Sequence, residues 1–238
     1  MRKYILYKTW IIFLFVLSAA SGGCSRKDKN DDMPSGIWDI DKQGIPKFVN
    51  TNYIEPDKIY RISKFRSSAG HDYSDAYEHC RSMKHYFEPR SDIDWSTVKI
   101  FAPVTGIITR VEPEWAGTKI EIESESYPAF RFSVFHINLS AQRSVGDKVF
   151  AGQQLGTHIG SPTYSDISVI VNDPSKKGRM VSYFEVITET LFQTYLNRGI
   201  SSREVLIISK EMRDANPLTC SGDTFTSVDP LESWVVLN

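Results

Sequence analysis

The feature that most constrains this chain is a run of short alternating segments between Ser96 and Val186, broken at near-even intervals by turn residues. Val98, Ile100, Ala102 and Val104 alternate with other residues, as do Ile107, Thr109 and Val111, and Lys119-Ile-Glu-Ile-Glu alternates strictly. A period of two sends successive side chains to opposite faces, so each segment suits a strand with one apolar face. Phe130, Phe132, Val134 and Phe135 continue the run with strand-favouring residues. Turns are supplied by Pro103 with Gly106, Ala116-Gly117, Tyr127-Pro128, Gly146-Asp147 and Gly152. Many short strands so spaced predict a mainly β fold, an antiparallel barrel-sandwich.

The flanks read differently. Tyr53, Ile54, Tyr60 and Ile62 are candidate core positions in a short, extended stretch, and residues 70–89 are polar and aromatic. Thr188 to Asn197 predicts a helix, with Leu191, Phe192, Tyr195 and Leu196 at helical spacing and Gly199 as a stop. Ser201 or Ser202 can cap a second helix, with Glu204 closing a capping box on Ser201. That helix would carry Val205, Leu206, Ile208 and Met212 and end before Pro217, and Trp234 to Leu237 would return to the sheet. Residues 46–238 are thus expected to form one β domain with C-terminal helices packed on it.

The N-terminus reads as an address. Arg2, Lys3 and Lys8 precede an apolar stretch from Trp10 to Ala20, which as a helix rises only about 16 Å, too short for a bilayer core of roughly 30 Å. This is the pattern of a secretory signal over residues 1–23. Ser21, Gly22 and Gly23 before Cys24 resemble a bacterial lipobox, with Ser21 where Leu is usual. The resemblance implies lipidation of Cys24 and a protein tied to a bacterial membrane in the cell envelope, on its periplasmic side or at the cell surface. Residues 24–45, beginning CSRKDKNDD, are expected to be a charged flexible tether. Cys80 and Cys220 remain as a disulfide pair or as two free thiols, since export permits the bridge without requiring it. With a net charge of −1 there is no basic footprint for nucleic acid.

The segment from Phe101 to Val171 resembles the lysostaphin-like zinc peptidases of the M23 family. Ala102-Pro-Val-Thr-Gly106 stands for their A-x-G-x-V strand, Phe135-His136-Ile137 for the aromatic-x-His strand, and Val145-Gly-Asp-Lys-Val-Phe-Ala-Gly-Gln-Gln-Leu-Gly156 for G-D-x-V-x-x-G-Q-x-I-G. Biotinyl and lipoyl carriers share this rhythm on a similar barrel-sandwich. Met83-Lys84 is similar to their modified lysine, but it precedes the strand at Ala102 instead of lying between the two halves.

The family resemblance implies a zinc held by the His and Asp of H-x-x-x-D and by the second His of a later H-x-H. Here His71-Asp-Tyr-Ser-Asp75 matches the first motif and His136 the catalytic histidine of the strand. The H-x-H is missing, because the five histidines are 71, 79, 85, 136 and 158. Its place falls either at Ser165 to Val169, with Asp166 and Ser168 for the two histidines, or at Val181 to Val186; loop length favours the first. A neutral hydroxyl is a poor zinc ligand. Each residue also has a plainer reading: His71 and Asp75 as loop hydrogen-bonding groups, His136 as a core histidine, His158 as an exposed turn residue. The expectation is a degenerate, hydrolytically inactive M23-like module, binding cell-wall peptide or glycan or an envelope protein, without zinc. The alternative is an active zinc peptidase with an altered ligand set.

Overall fold

The structure, a computed structural model, describes residues 33–238. The signal segment and Cys24 lie outside the described residues. Strand β1 (Ile59–Ser63) and β2 (His85–Pro89) precede β3 (Lys99–Phe101), β4 (Gly106–Pro113), β5 (Thr118–Ser124), β6 (Phe130–Leu139), β7 (Lys148–Val149), β8 (Gln154–His158), β9 (Ser165–Asn172) and β10 (Lys177–Val181). A small hairpin, β11 (Cys220–Ser221) with β12 (Thr224–Phe225), and a last strand β13 (Trp234–Val236) follow the helices. The main sheet runs β13-β1-β2-β9-β6-β5-β4-β7, with β10 beside β9, β3 beside β8, and β8 beside β6. Its pairings are antiparallel. The fold is mainly β as expected, and the path does not close into a barrel.

The centre of the sheet is β6. Phe130, Phe132 and Val134 stand opposite Val171, Val169 and Ile167 of β9, while Phe132 and Val134 face Ile122 and Ile120 of β5 on the other side. All of these side chains are fully buried, each contributing about 1.5–3 kcal/mol by leaving water. The two motif glycines have a steric reason. A Cβ on Gly106 would lie 2.0 Å from the Glu123 carbonyl oxygen, and one on Gly156 2.1 Å from that of Asn138. Both contacts are impossible, so the strands could not approach with any other residue there.

Helix α1 (Ile40–Gln43) and the one-turn α2 (Tyr183–Val186) precede α3 (Glu189–Leu196) and α4 (Lys210–Ala215) in the chain. Thr188 caps α3 by accepting from the Leu191 amide, and Leu191, Phe192 and Tyr195 are buried, close to the expected helix. The second helix starts later than its sequence suggests. Ser209, not Ser201 or Ser202, accepts the capping bond, from the Met212 amide, and Ile207 is drawn into a parallel bridge with Phe65. Met212 is exposed, as is Tyr60, so neither is core.

The expected tether ends earlier than position 45. From Pro34 onward the chain lies against the sheet: Asn172 Nδ2 donates to the carbonyls of Pro34 and Gly36, Asp173 accepts from the Ile40 amide, and Ile40 is buried. These anchors engage main-chain groups of the segment, held by the Asn172 and Asp173 side chains, and so leave no apolar pattern to read.

Candidate functional site

A cleft of about 580 Å³ opens beside the far end of β6, lined among others by His71, Tyr73, Lys84, Trp115, Phe135 and His136. One wall is the loop 64–84. Its shape is fixed by the Cys80–Cys220 disulfide and by Glu78, which takes two bonds of 2.7 Å from Arg66 and one of 2.8 Å from Arg81. Burial alone would raise the Glu78 pKa, but Arg66 and Arg81 hold it below the ordinary glutamate value. The opposite wall is the tip between β4 and β5, with Trp115 82% exposed at the rim.

His136 enters the cleft through a bulge. Thr118 pairs with Ile137 and Ile120 with Val134, so Phe135 and His136 share the single position opposite Lys119. His136 takes a left-handed φ of 58°, a conformation costing about 1–3 kcal/mol that clusters at functional sites. Its Nδ1 donates to the Ala116 carbonyl at 2.9 Å, and its Nε2 faces Asp166 Oδ1 at 3.5 Å. Glu114 lies 3.4 Å from Nδ1 and accepts from the His136 amide at 3.3 Å. Burial raises the Glu114 pKa, and His136 opposes that only in part.

His71 reaches the same cleft from the loop. Its Nδ1 donates to the Asp72 carbonyl at 2.9 Å, leaving Nε2 to accept from Lys84 Nζ at 3.3 Å. Lys84 is 2% exposed, and its Nζ sits 2.6 Å from Asp166 Oδ2. Phe135, Tyr73 and Tyr86 surround the ammonium at 4.2, 4.5 and 5.1 Å from their ring centres. Burial works against the charged lysine, but the Asp166 carboxylate and the neighbouring tyrosines outweigh it and its pKa lies above the usual value. Asp166 is fully buried, and neither of its oxygens has a hydrogen-bond partner among the described residues. The contact with Lys84 is therefore an ion contact outside hydrogen-bond geometry. The structure thus links His71, Lys84, Asp166 and His136 in one chain of polar contacts.

Asp75 is used differently. Its Oδ1 accepts from the amides of Tyr77 and Glu78 at 2.9 and 3.0 Å, and its Oδ2 from the Met180 amide at 3.0 Å. Its carboxylate shapes the loop, and the H-x-x-x-D spacing does not bring both side chains to bear on one point in the cleft. His158 is not an exposed turn residue either: it is buried on β8, against Trp95, and burial lowers its pKa. His85 is a core group. Its Nδ1 donates to the Ser63 carbonyl and its Nε2 accepts from the Ser182 hydroxyl, both at 2.7 Å, and burial pushes its pKa down to about 4. Ser182 begins α2, so the segment from Val181 to Val186 forms a helical turn, while Asp166 lies on β9 beside His136.

Among the described residues, no group of three or more His, Cys, Asp or Glu is placed to hold a metal ion. The residues named by the resemblance do not fit a zinc ion as they stand, because Asp75 is committed to three amides and an ammonium lies between His71 and Asp166. Sequence reasoning missed Lys84, Glu114 and Trp115 as members of the site. The Met83-Lys84 pair was the one available signal, and it pointed to a carrier lysine.

Solved structures similar to this chain include the glycyl-glycine endopeptidase LytM from Ruminococcus gnavus, at 16% identity over 42% of this chain and 43% of that one, with a TM-score of 0.34. The M23 metalloprotease pseudoalterin from the deep sea is 20% identical over 58% of this chain and 73% of that one, with a TM-score of 0.35. The SpoIIQ–SpoIIIAH pore-forming complex also matches, at 13% identity over 62% of this chain and 96% of that one, with a TM-score of 0.42. This chain spans under half the length of the LytM endopeptidase. No protein-family model matches the sequence, and no curated protein does.

Proposed function

We propose that this chain is an envelope module, lipid-anchored through Cys24, whose cleft binds a cell-wall peptide or glycan without hydrolysing it by zinc chemistry. The observation that carries the reading is the polar chain His71–Lys84–Asp166–His136 at the base of an aromatic-walled cleft. It provides hydrogen-bonding groups and ring faces, and it offers no open metal position for an activated water. Trp115, largely exposed at the rim, is suited to cover a bound sugar or peptide face. The test is co-sedimentation of the purified protein with cell-wall sacculi. Binding that Trp115→Ala and His136→Ala each weaken at least tenfold supports the proposal. Absence of binding, or binding that neither substitution changes, overturns it, and binding to an envelope protein alone would move the partner to that class.

A further inference from the structure

We propose that Lys84 and Asp166 condense into an intramolecular amide, a covalent cross-link between the segment before β2 and strand β9. The proposal goes beyond the binding reading, and its outcome does not depend on whether the cleft takes cell-wall material.

The sheet register brings the two groups together. Tyr86 stands opposite Asp166 across β2 and β9. Side chains two positions apart share a face, so Lys84 is the diagonal neighbour of Asp166 and its long stem spans the gap. Its Nζ lies 2.6 Å from Asp166 Oδ2, with the two side chains 3% and 0% exposed. Every other lysine–carboxylate contact among the described residues leaves one partner at least 13% exposed. The rings of Phe135, Tyr73 and Tyr86 enclose the ammonium and keep bulk water from the pair. No hydrogen-bond donor among the described residues holds either oxygen of Asp166, so the carboxylate is free to take up a proton.

A buried ion pair carries a desolvation penalty that a neutral amide does not, and this favours the condensed state. The Asp166 carboxyl carbon is one bond beyond the oxygen that Nζ touches. A rotation of the carboxyl group brings it to the roughly 3–3.5 Å of a near-attack geometry. Burial disfavours the charged ammonium, but the Asp166 carboxylate and the neighbouring tyrosines hold it protonated. The bond therefore forms slowly, after folding, from the minor state in which one proton has crossed the contact to Oδ2. The Nζ lone pair attacks the carboxyl carbon, and the nitrogen–carbon bond forms. His71 Nε2, which faces Nζ at 3.3 Å, takes a second proton from the nitrogen and returns it to the departing hydroxyl. The carbon–Oδ2 bond breaks, and Oδ2 leaves with both protons as water, through the cleft that Lys84 lines. The third ammonium proton stays on the amide nitrogen, Oδ1 becomes the carbonyl oxygen, and nothing is oxidised or reduced.

The experiment is peptide mapping by mass spectrometry. The purified full chain is held folded at neutral pH until its map no longer changes, then denatured, reduced and digested with trypsin, with Lys84→Arg and Asp166→Ala alongside. In most wild-type chains trypsin should fail to cut after Lys84. The peptide carrying Lys84 should be joined to the one carrying Asp166, lighter than their sum by one water, and fragmentation should place the link on these two side chains. Both variants should lack the joined peptide. The wild-type map decides the matter even if a variant does not fold. Lys84 cut by trypsin in most wild-type chains overturns the proposal. So does loss of water at Asp166 alone without a joined peptide, or a link from Lys84 to a different carboxylate.

Discussion

Replacing both cysteines of the Cys80–Cys220 bridge by serine should destabilise the protein and loosen the cleft together. The bridge spans 140 residues of sequence. Closing a loop that long removes about 5 kcal/mol of unfolded-chain entropy at 25 °C on the chain-entropy account, and loss of a native bridge commonly costs 2–5 kcal/mol. In the fold it fastens the loop that carries His71 and Lys84 to the β11–β12 hairpin. Without it, the Asp72 amide bond to the Asp223 carbonyl at 2.7 Å, and the ion pair of Arg81 with the half-exposed Asp214 at 2.9 Å, would still tie that loop to the C-terminal segment. With its carboxylate open to solvent, a pair of this kind contributes about 1 kcal/mol. Urea unfolding should therefore show a loss of about 2–5 kcal/mol, and thermal unfolding a drop of roughly 5–20 °C for a unit of this size. Hydrogen exchange should quicken at residues 71–84 before it does in β6. A loss under about 1 kcal/mol with unchanged exchange in that loop would refute the reasoning, since it would mean that the bridge constrains neither the unfolded chain nor the site.

Arg213 is fully buried and makes a two-point pair with Asp229 at 2.8 and 3.0 Å, so Asp229→Asn should leave its charge uncompensated and cost about 3–5 kcal/mol in urea unfolding, whereas a cost under 1 kcal/mol would contradict this. His85 has a folded pKa of about 4 against an ordinary 6.5, so the unfolded chain takes up a proton first as pH falls. Its contribution is complete above about pH 6.5 and is lost progressively toward pH 4, by about 3 kcal/mol at most. His85→Gln should flatten stability against pH in that window, and an unchanged slope would assign the loss to other groups.

The legible part of the fold was the part with a periodic apolar face. Strands β5 and β6 follow the alternation at Lys119 and Phe130, and α3 follows Leu191, Phe192 and Tyr195, whereas in β4 the expected set is turned outward at Ile107, which is exposed, and Ile108 takes the core position. Strand β2 was hidden, because His85, Tyr86 and Phe87 are buried on both faces and so show no period of two. The late start of α4 was hidden because three serines, at 201, 202 and 209, could each cap a helix, and only the pairing of Phe65 with Ile207 excludes the first two. In the site, the motif spacing located His71 and His136 but could not show where the Asp75 carboxylate points. That direction is set by amides at Tyr77, Glu78 and Met180. The Lys84–Asp166 pair joins β9 to the residue before β2, strands far apart in sequence, and no local pattern announces such a pair.

The central claim is that this cleft binds without zinc-dependent cleavage, and it is tested most directly by incubating the purified full chain with cell-wall sacculi and Zn²⁺, with and without a chelator, and measuring released peptide. Loss of a single electrostatic stabiliser of a transition state typically costs 10²–10³ in rate, and the sequence contains no H-x-H. The account predicts release at the level of buffer alone, equal in both arms. Chelator-sensitive release that His136→Ala abolishes would contradict it.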